Sequence, residues 1–359
     1  MIKSGVSFMC LFLLFVYPPK ISKAMLLCGL YFIIVFIVAY LNYNTFRWGT
    51  ILYLFSFLIV YIFYYNQVVC EQAVGFDVFM DLLKKLILAY TILLMAQQLL
   101  LVAGIKIFPL LNLTQVLNKG IGANSLSGEP SSAGRIMAVL YLGYIRMCEI
   151  KYHEKVQLQT LFQEAKWPTL GFLWSMTTMG SGTAFVALGI LSLYFIQAKY
   201  VFTVLPLLAV CTFLIPYIDF MPLQRAYQVV GAFLSGSQES VIEADHSAAS
   251  RVTGLMNMLT NVDYFDLNTW IGHGCDYSAS FGGYNQRLRT NLIGGIHEYG
   301  LISFIVMQLV VYKCIIRKIV SIETLFWIFL FSMTFGNVAY TWGCIMVFTA
   351  VRYFQERQG

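Results

Sequence analysis

Charge is scarce in this chain of 359 residues. Asp, Glu, Lys and Arg together make up 11% of it, against about 25% in an average soluble domain. So low a fraction excludes a fully solvated globular surface. Metal and redox spacings are missing as well. The eight cysteines (Cys10, Cys28, Cys70, Cys148, Cys211, Cys275, Cys314 and Cys344) form no CxxC pair, so neither a zinc site nor a disulfide framework is implied. The four histidines (His153, His246, His273 and His297) are dispersed, without HExxH spacing, and no dedicated metal site follows. No P-loop or dinucleotide fingerprint occurs, which leaves nucleotide chemistry without a motif. The net charge of +6 is modest, and no basic cluster alternates with aromatics, so nucleic acid is not an expected partner.

What the chain does have is apolar length. Hydrophobic residues make up 59% of it and aromatics 16%, with a mean hydropathy of +0.73. Apolar runs fall at 4–18, 24–42, 48–65, 86–105, 131–148, 167–180, 181–197, 200–218, 292–312, 323–336 and 338–351. A bilayer core takes about 20 apolar residues per helix, and a spanning segment must satisfy its own backbone, which makes it helical. The expected fold is therefore all-α: a single polytopic membrane bundle over 1–359, with about 10–12 spanning helices, some of them short. Pro18 and Pro19 close the first run, which has no A-x-A-type cleavage site and so reads as a span rather than a signal peptide.

Basic residues orient the bundle by the positive-inside rule. Lys20 and Lys23, Lys84 and Lys85, Lys151, Lys155 and Lys166, and Lys313, Arg317 and Lys318 mark cytoplasmic loops. Alternation then puts the N-terminus outside and the C-terminus inside. Two stretches face outward, 106–130 and the long loop 219–291. The stretch TTMGSGT at 177–183 reads as an outer-face turn between two helices, with one long tilted helix as the alternative.

The long outer loop carries an amphipathic pattern. Ala248, Val252, Leu255, Met256 and Leu259 recur at helical spacing after Asp245 or Ser247 as N-cap, which predicts a helix on the outer face. Arg251, Arg287, Arg289 and His273 share the loop, and Gly272, Gly274, Gly282 and Gly283 permit close backbone approach. Arginine's planar fork suits phosphate. With Arg135, these side chains form a set able to converge on a polyanionic headgroup, although each alone also serves as an interface anchor.

The stretch SGEPSSAGR at 127–135 opens the apolar run from 131. Pro130 suits the first turn of a helix, and Glu129 lies where the helix dipole favours a carboxylate. Arg135 is expensive in the bilayer and is expected to face the bundle interior. One role for Glu129 and Arg135 is an ion pair that locks two helices. The other is a carboxylate poised beside an anion-binding arginine, as transfer from a lipid-linked diphosphate requires.

Three stretches carry a resemblance: SGEPSSAGR at 127–135, MTTMGSGTAF at 176–185, and SRVTGLMNML…WIGHG at 250–274 followed by TNLIGGIHEYGLISF at 290–304. In this order they resemble the O-antigen polymerase (Wzy-type) and O-antigen ligase superfamily over about residues 107–350. Gly182 stands where that pattern often has arginine. Arg289–Thr290 stands where the ligases carry their histidine, which favours the polymerase branch.

The resemblance implies a metal-independent membrane glycosyltransferase without cofactors. It would act at the outer face of a bacterial cytoplasmic membrane, on polyprenyl-diphosphate-linked oligosaccharide, with a flippase and chain-length regulators as partners. Glu129 and His273 would be catalytic. Arg135, Arg251, Arg287, Arg289, His297 and Glu298 would bind diphosphate or glycan. A ligase-type transferase is the alternative. A polysaccharide flippase is the rival from another class, against which no repeat relates the two halves and the ionisable residues cluster at one face.

Overall fold

The computed structural model describes residues 2–45, 48–105, 123–196, 217–218, 223–224, 227–228, 231, 263–274, 292–331 and 339–358. Among them the protein is all-helical, with twelve α-helices: α1 Ile2–Val16, α2 Lys23–Leu41, α3 Trp48–Tyr65, α4 Phe76–Val102, α5 Pro130–Tyr152, α6 Leu158–Glu164, α7 Lys166–Thr178, α8 Gly182–Ser192, α9 Leu267–Ile271, α10 Leu292–Val310, α11 Ile322–Phe326 and α12 Ala339–Gln358. Single π-helical turns extend α3 to Cys70, α10 to Ile315 and α11 to Phe331.

Among the described residues, four stretches are long and apolar enough to cross a membrane: Lys23–Leu41, Trp48–Cys70, Phe76–Val102 and Glu298–Ile315. The chain is a multi-pass membrane protein. Gly5–Val16, Gly182–Ser192 and Ile322–Phe331 are apolar but shorter. The run 200–218 falls almost wholly outside the described residues, as does the amphipathic pattern from Asp245 to Leu259.

Several boundaries differ from those read by hydropathy. Helix α4 begins at Phe76, ten residues before its apolar run, with Gly75 as N-cap and Asp77 in its first turn. Hydropathy marks where a helix meets lipid, whereas the hydrogen-bonded ladder runs on through Asp81, Lys84 and Lys85. The loop 149–166 contains α6, which is too short and mixed to show an apolar run. The stretch 167–197 is two helices, not one. Helix α7 ends at Thr178, Gly180 takes a left-handed φ of 71°, and Ser181 caps α8.

By internal packing the chain forms two compact units, Met1–Val74 with Ser235–Tyr353 and Gly75–Leu234 with Phe354–Gly359. In the first, α2 packs on α10 and α3, and α1 on α3. The Lys20 amide donates to Asn66 Oδ1 at 3.2 Å and its ammonium lies 3.1 Å from Glu71 Oε1, so the loops after α1 and α3 share one end. Arg352 Nη1 donates to the carbonyls of Tyr312 and Ile316, both at 2.9 Å, which places the end of α10 beside α12. In the second unit, Tyr194 accepts a bond from the Val156 amide at 3.0 Å and donates to Glu149 at 2.8 Å. The loop 153–157 and the end of α8 therefore share an end. The positive-inside assignment groups each of these pairs on the same face.

Helix α5 is the centre of the second unit, in contact with α4, α7 and α8. Small residues let its neighbours close in. A Cβ on Gly134 would stand 2.9 Å from Ala184 Cβ, and one on Gly171 of α7 would stand 2.7 Å from Thr91 Oγ1. Tyr141 and Phe172 stack with centroids 4.0 Å apart.

Candidate functional site

Two helices of the second unit begin side by side. Glu129 is the N-cap of α5, in extended conformation, with Pro130 in the first turn. Pro130 lacks the amide that this position would leave unbonded. The amides of Ser132 and Ala133 donate to the Glu129 carbonyl, both at 3.1 Å. The Glu129 carboxylate is exposed and accepts a hydrogen bond from Ser131 Oγ at 3.2 Å. Arg135 lies further along α5 and is only 2% exposed. Next to it, Gly134 packs on Ala184 in the first turn of α8, and Met179 Sδ would stand 3.3 Å from a Cβ there. Ser181, the N-cap of α8, and Thr183 are both buried. The starts of the two helices thus meet at Gly134 and Ala184, next in sequence to the buried Arg135, and each helix start favours negative charge.

The ion pair weighed for Glu129 and Arg135 does not form. The carboxylate is on the surface and the guanidinium is inside. Glu129 is not a buried charge in need of a partner, because as an N-cap it projects at the mouth of the helix rather than into the bundle.

The turn that leads into α5 is pinned to α4. Gln97 is fully buried. Its Nε2 donates to the Ser125 carbonyl at 3.0 Å, and its Oε1 accepts from the Ser125 amide at 2.7 Å. Ser125 holds a φ of 52°, and its Oγ donates to the Tyr90 carbonyl at 2.6 Å. The neighbouring Gln98 donates to Thr178 Oγ1 at 2.9 Å and to its carbonyl at 3.2 Å, and accepts from Trp174 Nε1 at 3.0 Å. Hydropathy missed this pair. The signal was present as two adjacent amides in the run LLMAQQLLLV, expensive in lipid unless bonded.

In the first unit, α9 is capped by Asp266, whose side chain accepts from the Asn268 amide at 3.0 Å. His273 follows, half-buried, between Gly272 (φ 93°) and Gly274 (φ 89°). The Gly274 amide donates to the Glu298 carbonyl at 2.8 Å. Gly300 breaks α10 with a φ of 80°. A Cβ on Gly272 would lie 2.6 Å from Gly300 N, and one on Gly300 would collide with the Trp270 carbonyl oxygen. The two glycines interlock backbone to backbone, and this crossing brings His273 next to Glu298 in space although 25 positions separate them in sequence.

Of the candidate residues, Glu129 and Arg135 lie at one helix start of the second unit, and His273 and Glu298 at one backbone crossing of the first. Arg251, Arg287 and Arg289 lie outside the described residues, as does the side chain of His297 in α10. Among the described residues no group of His, Cys, Asp and Glu has a metal-holding arrangement. The chain matches no family model, no curated protein and no solved structure.

Proposed function

We propose that this membrane protein is a polysaccharide polymerase. It transfers a growing glycan from polyprenyl diphosphate to the next lipid-linked repeat unit, at the outer face of a bacterial cytoplasmic membrane. The observation that carries the reading is the start of α5: an exposed carboxylate at the N-cap and a buried guanidinium six residues later, about 9 Å along the helix axis. The order of the three motif stretches supports it.

In this reaction a sugar hydroxyl of the acceptor attacks the anomeric carbon of the donor glycan. The bond from that carbon to the phosphate oxygen breaks, and lipid diphosphate leaves with the electron pair. The hydroxyl proton passes to the Glu129 carboxylate, an acceptor open to the substrate side. Arg135 opposes the charge that develops on the diphosphate. Its side chain is buried, where water screens little.

The test is deletion in the native host, followed by gel separation of surface glycans. Loss of the long-chain ladder with a single repeat unit retained supports a polymerase. Loss of every attached unit supports a ligase, and an unchanged pattern refutes both. Complementation with Glu129→Gln is expected to leave protein in the membrane and abolish chain extension, because an amide cannot take the proton. A normal ladder from Glu129→Gln together with loss in His273→Ala moves the base to His273.

A further inference from the structure

We infer that Gln97 and Gln98 are positioning residues: a double-amide clasp on α4 that sets the backbone entering α5 against the backbone entering α8. The inference rests on the reading that the start of α5 is where chemistry occurs. Its structural half stands without that reading.

Gln97 bonds to backbone, not to side chains. It takes both polar groups of Ser125, as a facing strand would, and its hold does not depend on which side chain stands at 125. Ser125 adds the bond to Tyr90, two helical turns earlier on α4. One residue is therefore laid along α4 and held by three hydrogen bonds, two of them buried and one part-buried, in a left-handed conformation that costs a non-glycine residue energy. Three residues separate Ser125 from Glu129. Ser127 is tied back to the Asn124 carbonyl at 3.0 Å, and Pro130 fixes the step into the helix. The path from clasp to carboxylate thus has little freedom.

Gln98 does the corresponding work on the other side. It bonds the last turn of α7, three residues before Ser181 caps α8. Adjacent positions on a helix point about 100° apart, so one glutamine pair addresses two different chain segments. These are the segments that deliver Gly134 and Ala184 to their contact. An apolar span has no use for two amides in succession unless both are bonded. Here both are, and both bind the backbone next to a motif.

Hydrogen exchange on the full chain in lipid nanodiscs tests the clasp at the Ser125 amide. Gln97→Leu keeps approximate size and removes both bonds, and is expected to speed exchange there about tenfold or more. Gln97→Glu at about pH 5 is the rescue. A buried carboxyl is protonated there, and as an acid it still donates to one group and accepts from the other. It is expected to exchange near the wild-type rate measured at the same pH. Wild-type protection in Gln97→Leu overturns the clasp. So does exchange in Gln97→Glu at that pH as fast as in Gln97→Leu.

The functional arm is the glycan ladder of the deletion strain carrying Gln97→Leu, normalised to membrane protein. Shortened chains are expected. A full-length ladder with accelerated exchange overturns the positioning role. If deletion itself leaves the glycans unchanged, the proposed function fails, and exchange alone decides the clasp.

Discussion

Helices α2 and α5 have opposite relations between sequence and burial. Helix α2 reads KAMLLCGLYFIIVFIVAYL, with one charge, yet only six of its nineteen residues are buried. Leu26, Leu30, Ile33, Ile37 and Tyr40 are exposed. Helix α5 carries Arg135, Arg146, Glu149 and Lys151 and is not among the four described stretches long and apolar enough to cross a membrane, yet sixteen of its twenty-three residues are buried. In water the more apolar helix would be the inner one. In a bilayer lipid tails solvate leucine as well as another helix does. Hydropathy therefore reports what meets lipid, and the helix that can least tolerate lipid goes inside.

The largest test of this contrast is a matched truncation. Ile145 on α5 is fully buried and Ile37 on α2 is 50% exposed. Ile145→Ala leaves a cavity among fixed neighbours and is expected to cost about 2–5 kcal/mol. Ile37→Ala gives up contacts that lipid replaces and is expected to cost less than about 0.5 kcal/mol. Denaturation titrated with SDS in mixed micelles measures both. Equal costs would break the comparison.

The same contrast explains what was legible in the sequence. Pro130 after Glu129 marked the start of α5, and Gly180 marked the break between α7 and α8, because proline and glycine act on their own backbone. The all-helical, membrane-spanning class followed from apolar length alone. Other features depend on partners far along the chain. Gln97 and Ser125 are 28 positions apart. Gly272 and Gly300 interlock through backbone atoms that no side-chain pattern records. The exposure of Glu129 was not legible for a related reason: hydropathy located the edge of the apolar run but not which side of that edge the N-cap side chain occupies.

A smaller effect is expected from adding bulk at glycines. Gly134→Leu drives a side chain into Ala184, whose Cα would lie 3.1 Å from the new Cβ. Backbone cannot rotate away as a flexible side-chain tip can, so a cost of about 1–3 kcal/mol is expected. Gly29→Leu on α2 meets no atom within 4 Å and is expected to be neutral or slightly stabilising, because leucine is the better helix former. Thermal midpoints in lipid nanodiscs sharpen the contrast. A neutral Gly134→Leu would show that α5 and α8 can part without penalty.

The smallest expected effect isolates a hydroxyl. Tyr141 on α5 donates to Thr169 Oγ1 at 3.3 Å, and Thr169 in turn donates to the Leu161 carbonyl, also at 3.3 Å. Tyr141→Phe keeps the ring stacked on Phe172, so packing is unchanged and only the polar link is lost. Thr169 keeps its own donor bonded and loses only a partner for a lone pair, so no buried donor is orphaned. That places the cost at the low end for a buried hydrogen bond, about 0.5–1 kcal/mol, in line with the about 0.6 kcal/mol average found between membrane helices. Tyr40→Phe on α2, 64% exposed, is the control and is expected to cost nothing measurable. A double-mutant cycle with Thr169→Val separates the pair from its surroundings. A coupling near zero would assign the inside position of α5 to ring packing alone. A coupling well above about 1 kcal/mol would make the Tyr141–Thr169–Leu161 chain of bonds a cooperative tie between α5, α6 and α7, and polar links would then join small-residue packing in holding the charge-bearing α5 at the centre of its unit.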